Sequence, residues 1–107
     1  MQIQDLVGNT PLVKMPLVEF DIDLYGKLEL NNPTGSVKDR SAHYMLESLL
    51  SKEVINKKTK VVESSSGNFA ISLSAFSKYL GIDFTAVIDP IINPMNEFLI
   101  KSHGGNI

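Results

Sequence analysis

Two segments of this 107-residue chain carry the residue types that a nucleophilic amine and an anion pocket require. The first runs Asn32-Pro33-Thr34-Gly35-Ser36-Val37-Lys38-Asp39-Arg40. Lys38 falls in the first turn of a predicted helix. A cation there opposes the helix macrodipole, so the position is a poor one for a purely structural lysine. The positive helix end, together with partial burial, favours the uncharged amine that a Schiff base needs. Standing alone, the same lysine would read as surface charge. The second segment runs Glu63-Ser64-Ser65-Ser66-Gly67-Asn68-Phe69-Ala70-Ile71. It opens another helix, whose first N–H groups can hold a phosphate or a carboxylate. Standing alone, it would read equally well as a serine-rich N-cap loop.

The elements that must position these segments follow from periodicity. Gly8-Asn9-Thr10-Pro11 is a turn cluster, and Leu12 to Val18 is a short apolar strand broken by Pro16. Asp23 to Leu30 alternates apolar and polar residues, which is strand periodicity. Asn31 to Gly35 then breaks the chain. Ser36 begins a helix, with Asp39 as the partner in a capping box. Ala42, Met45, Leu46, Leu49, Leu50 and Val54 recur at helical spacing, and Asn56 to Lys60 ends that helix. Lys60 to Glu63 is a strand. Phe69, Leu73, Phe76 and Leu80 mark a second amphipathic helix closed by Gly81. Phe84 to Ile88 is a strand, Asp89-Pro90 and Asn93-Pro94 delimit a loop, and Met95 to Ser102 is a third helix. Asn106-Ile107 reads as the approach to a further strand.

Strands alternating with helices predict an α/β fold with a three-layer αβα arrangement around a parallel sheet. Ligands of such sheets bind beyond the strand C-termini. The loops before Ser36 and Phe69 both leave such ends. Side by side, they would bring two helix N-termini to one anion-friendly pocket.

Composition narrows the classes. Hydrophobic content of 43% and charged content of 21% fit an ordinary globular domain with one modest core. A net charge of −2 argues against nucleic acid as a partner. There is no cysteine, so disulfides and thiolate metal sites are excluded. No apolar run approaches membrane-spanning length, and Met1-Gln2-Ile3-Gln4-Asp5 lacks the features of a signal peptide, so a cytoplasmic location is expected. His43 and His103 have no metal-ligand partners at useful spacing and read as packing or surface residues.

Pro33-Thr34-Gly35-Ser36-Val37-Lys38-Asp39-Arg40 resembles the Pro-x-Gly-Ser-x-Lys-Asp-Arg segment of the cysteine synthase and cystathionine beta-synthase family. The Ser65-Ser66-Gly67-Asn68 loop lies one strand later, where that family has its asparagine loop. Val7-Gly8-Asn9-Thr10-Pro11-Leu12-Val13 and Pro94 to Asn106 extend the likeness over nearly the whole chain. The resemblance implies a two-domain, fold-type-II enzyme that uses pyridoxal 5'-phosphate. Lys38 would hold the cofactor as a Schiff base and later move the substrate's α-proton. Asn68 would hydrogen-bond the cofactor's ring hydroxyl oxygen. Ser65, Ser66, Gly67 and Phe69, with their backbone N–H groups, would grip a substrate carboxylate. The implied reaction is β-replacement: elimination from an activated serine through an aminoacrylate, then addition of a nucleophile. The implied partners are a small amino-acid substrate and a second copy in a homodimer. A serine or threonine deaminase of the same fold, or a non-catalytic module, is the alternative. Asp39 and Arg40 are expected to fix the helix start rather than to do chemistry.

Two departures from the family pattern carry further expectations. Phe69 stands where the loop usually has threonine, and Ala70 where it has glycine. With Asp89-Pro90 and Pro94-x-Asn96, this looks closer to the branch that joins phosphoserine to an amino-acid nucleophile on the way to 2,3-diaminopropionate. The family's Gly/Thr-rich phosphate loop and its serine facing the pyridine nitrogen have no counterpart in these residues. The chain therefore reads as the front part of a catalytic core, inactive by itself. Residues 1–31 would cross to a larger domain, leaving Gly8 to Leu30 short of packing partners, and residues 32–107 would form most of the smaller one.

Overall fold

The computed structural model describes residues 1–17 and 19–107. After a 3-10 turn at Ile3–Leu6 come β1 (Leu12–Lys14) and β2 (Tyr25–Lys27). A second 3-10 turn at Glu29–Asn31 leads to α1 (Lys38–Ser51), β3 (Lys60–Ser64), α2 (Asn68–Leu80), β4 (Asp83–Val87) and α3 (Pro94–Ser102). The fold is α/β. β3 and β4 pair in parallel, from Lys60 opposite Asp83 to Ser64 opposite Val87. They are joined through α2, the crossover that parallel pairing requires. Asn106 makes a parallel bridge to Thr85, so the segment after α3 does approach the sheet as a further strand.

β1 and β2 depart from the expected alternation. They pair antiparallel with each other, Leu12 opposite Lys27, and form a separate two-stranded hairpin. Both expected strands shorten to three residues. Pro16 truncates the first, and the 3-10 turn at Glu29 truncates the second; Val18 lies outside the described residues. The loop before Lys38 therefore does not leave a parallel strand. The hairpin keeps its apolar side chains in solvent: Leu12, Phe20, Ile22 and Leu24 are all exposed.

The core lies around α2. Phe76 is fully buried, with Leu46 and Ala42 from α1, Phe84 and Ala86 from β4, and Ile100 from α3. The predicted face of α1 is only partly right. Ala42 and Leu46 are buried, Met45 is exposed, and Val54 lies exposed beyond the helix end. α2 is more enclosed than its amphipathic pattern implies, because α1, β4 and α3 all pack on it. Every residue from Ala70 to Ser77 is buried. Its C-terminus closes as predicted, with Gly81 in the left-handed conformation at φ 72°. Gly105 is needed for contact. A Cβ there would stand 2.2 Å from Ser74 Oγ, so only glycine lets the chain pass α2 on its way to the sheet.

Candidate active site

The site is built from the starts of α1 and α2. Lys38 is the first residue of α1, two residues later than expected. The predicted capping box does not form. Ser36 Oγ accepts the Lys38 N–H at 3.2 Å, but Asp39 turns to Thr34 instead of Ser36. Thr34 N–H donates to Asp39 Oδ2 at 2.7 Å, and the Thr34 hydroxyl donates to Oδ1. Ser72 Oγ, on α2, also donates to Asp39 Oδ1, at 2.6 Å, and lies 3.2 Å from Thr34 Oγ1. Asp39 and Ser72 are wholly buried. This triangle joins the lysine loop to α2, so the two helix starts are neighbours.

Lys38 itself is exposed, which corrects the expected partial burial. The buried position in that turn belongs to Asp39. The Lys38 ammonium has no hydrogen-bond or ion-pair partner among the described residues. Asn68 is the first residue of α2, exposed, and its carboxamide is likewise unpaired among the described residues. The N–H groups of Ser66, Gly67, Asn68 and Phe69 meet no acceptor there either. A helix start with open N–H groups is an anion seat.

The two serine hydroxyls have structural work. Ser65 Oγ accepts the Ala70 N–H at 3.2 Å, which satisfies a donor in the first turn of α2 from outside the helix; the N-cap itself is Gly67, without a side-chain cap. Ser66 Oγ accepts the Asp89 N–H at 2.7 Å, and Asn96 Nδ2 donates to the Ser66 carbonyl at 3.1 Å. Each hydroxyl proton remains available to a ligand. Phe69 is half-buried against the core, so its contribution to the loop's open side is its backbone N–H.

Arg40 fixes the other flank. Its guanidinium makes a two-pronged bond to Glu29, Nε to Oε2 at 2.8 Å and Nη2 to Oε1 at 2.9 Å. Thr10 donates to Glu29 Oε1 at 2.7 Å, and Asn32 Nδ2 donates to Oε2 at 2.8 Å. Asn32 Oδ1 accepts the Gly8 N–H at 2.8 Å, and a Cβ on Gly8 would stand 2.8 Å from Arg40 Nη1. Gly8, at φ 82°, thus satisfies both a left-handed turn and a close approach.

The Arg40 hydrogen bonds, reinforced by Thr10, lower Glu29 from its ordinary 4.5 to about 2. A carboxylate depressed in the folded state adds stability above its ordinary value. That stability is lost as pH falls from about 4.5 through about 2. Thermal unfolding of the parent and of Glu29→Gln should therefore converge as pH drops through this window. A gap between the two that stays constant across it would count against the assignment.

Sequence reasoning missed Thr34, Ser72 and Glu29 as organisers of the site. Their contacts span 3 to 38 residues, and no local pattern marks them. His43 packs its ring on Phe76 at 5.3 Å between centroids. Among the described residues no group of three or more histidines, cysteines or carboxylates could hold a metal, and no helix is long and apolar enough to cross a membrane.

Residues 3–107 match the profile of a family described as pyridoxal-phosphate dependent enzyme. The chain belongs to that family. It is 44% identical over 107 residues to an N-(2-amino-2-carboxyethyl)-L-glutamate synthase from Cupriavidus metallidurans, covering 98% of this chain and 31% of that protein. A hydrogen sulfide-producing enzyme from Fusobacterium nucleatum superposes with a TM-score of 0.92 at 33% identity, over 97% of this chain and 35% of the other. An O-acetylserine dependent cystathionine beta-synthase from Helicobacter pylori gives a TM-score of 0.88 at 28% identity, over 97% and 35%. The chain thus spans about a third of the length of these relatives. The residues present fit one side of a pyridoxal phosphate site: an unpartnered amine, an unpaired carboxamide and a run of open N–H groups on adjoining helix starts.

Proposed function

We propose that the full-length protein is a pyridoxal-phosphate dependent β-replacement synthase. It joins the amino group of an acidic amino acid to the β-carbon of an activated serine. The observation that supports this reading is the Thr34–Asp39–Ser72 triangle, which joins the loop before Lys38 to α2, the helix that the Asn68 loop opens. The 44% identity to a synthase named for an N-linked glutamate product supports the choice of nucleophile, as do Phe69 and Asn96 in the loop and its brace.

Bound pyridoxal phosphate would supply the electron sink that loosens bonds at the substrate's α- and β-carbons. Lys38 would hold it covalently, and Asn68 would hydrogen-bond its ring hydroxyl oxygen. Lys38 Nζ would take the substrate's α-proton. The N–H groups of Ser66 to Phe69, with the hydroxyl protons of Ser65 and Ser66, would hold the substrate α-carboxylate. The leaving group would depart from the β-carbon with its bonding electron pair; the incoming amine would bond that carbon and lose a proton, and Lys38 Nζ would return a proton to the α-carbon.

In this reading the parent acts as a cytoplasmic homodimer. Residues 1–31 pack on a larger domain, a placement that the exposed Leu12, Phe20, Ile22 and Leu30 support. The phosphate group of the cofactor would be held outside these residues.

The test supplies the full-length protein and pyridoxal phosphate with O-phosphoserine, with and without glutamate, and follows products by mass spectrometry. Product that contains both carbon skeletons, formed only with glutamate present, is the expected result. Ammonia and pyruvate released equally without glutamate would show a deaminase. Product from sulfide but not from glutamate would move the assignment to a cysteine synthase.

A further inference from the structure

We propose that Thr34, Asp39 and Ser72 form a positioning latch that sets the reactive lysine of α1 against the asparagine loop of α2. The inference rests on the functional reading above and goes beyond it, since it gives the three residues a positioning role that the reading does not assign.

The geometry is specific. Asp39 is fully buried, immediately follows Lys38, and uses both carboxylate oxygens. One takes the Thr34 N–H and the other takes two hydroxyls, one from the lysine loop and one from α2. A buried carboxylate is costly unless donors surround it. Here three donors do so, and two of them belong to the loop that leads into Lys38. Ser72 lies one helical turn after Asn68, so the latch ends directly beneath that residue. Gly35, at φ 90°, lies inside the latched loop with open space where a side chain would stand, so this residue adds no side-chain packing to hold it. These bonds therefore tie the loop that leads into Lys38 to α2, in addition to the packing of α1 on α2. A reacting group misplaced by a fraction of an ångström is costly to a site of this kind.

The experiment uses the full-length protein loaded with pyridoxal phosphate. Thr34→Val keeps the shape and the N–H but removes the hydroxyl, Ser72→Ala removes only the bond from α2, and Thr34→Ser keeps every bond. Borohydride reduction followed by peptide mass analysis reports cofactor attachment at Lys38. Visible circular dichroism reports the cofactor's seat, and dilution reports its rate of loss. The expected result is attachment at Lys38 in all four proteins. Cofactor loss should be roughly five- to tenfold faster, with weakened visible dichroism, in Thr34→Val and Ser72→Ala, the scale of one net hydrogen bond. Thr34→Ser should behave as the parent.

Ile100→Val provides a stability control, because it loosens the core without touching the latch. Equal effects in Ile100→Val at matched loss of Tm would overturn the latch and leave a purely structural role. Unchanged dichroism and retention in both Thr34→Val and Ser72→Ala would also overturn it. Absence of any adduct on Lys38 in the parent would instead bring down the functional reading, and the latch with it.

Discussion

Replacing Lys38 by alanine in the full-length protein is expected to abolish borohydride-trappable cofactor on that segment and to lower turnover by roughly a thousandfold or more, the scale of losing a positioned proton-transfer group. The same change should leave folding almost untouched. The Lys38 side chain is exposed and makes no bond to a described residue, and substitutions at such surface positions change stability by about 0.5 kcal/mol or less. This pairing is what makes the experiment informative. Activity that persists in Lys38→Ala, or a protein that loses activity only because it unfolds, would each contradict the assignment.

Phe76→Ala is expected to do the reverse. Phe76 is fully buried where α1, α2 and β4 meet, against Leu46, Phe84 and the ring of His43. Removing it leaves a cavity and should cost about 3–5 kcal/mol. Against a total of about 5–15 kcal/mol for a domain, that is a large share. The urea midpoint should fall steeply, while the cofactor chemistry of the folded fraction persists. A loss below about 1 kcal/mol would mean that α2 is not the centre of the core.

The sequence made legible what depends on neighbours along the chain. The second and third helices, the Gly81 stop and the approach of Asn106 to the sheet follow from local patterns, and all are present. The motif placed Lys38 and Asn68 at helix starts, and the structure has both there. Less legible was anything decided by a distant partner. Alternation at Asp23 to Leu30 specifies a strand but not its mate, so the antiparallel hairpin could not be told from a parallel strand. Ser36 followed by Asp39 has the spacing of a capping box. The carboxylate is nevertheless drawn to Thr34 and Ser72, because they satisfy it in a buried place. The serines of α2 carry no local mark of their partners. Ser72 faces Asp39, and Ser74 returns its proton to the Ala70 carbonyl at 2.7 Å.

The cluster of Gly8, Thr10, Glu29, Asn32 and Arg40 has a consequence for the order in which the molecule comes apart. β3, α2 and β4 are successive in the chain and enclose the core, so they form a local, cooperative unit. The β1–β2 hairpin has no comparable apolar seat among the described residues, and its base is fastened by that polar cluster. Amide protons of the hairpin should accordingly exchange through small openings, while those of α2 wait for global unfolding. The cluster is then a hinge pin, and what it releases first is the turn that rests on the helix of Lys38.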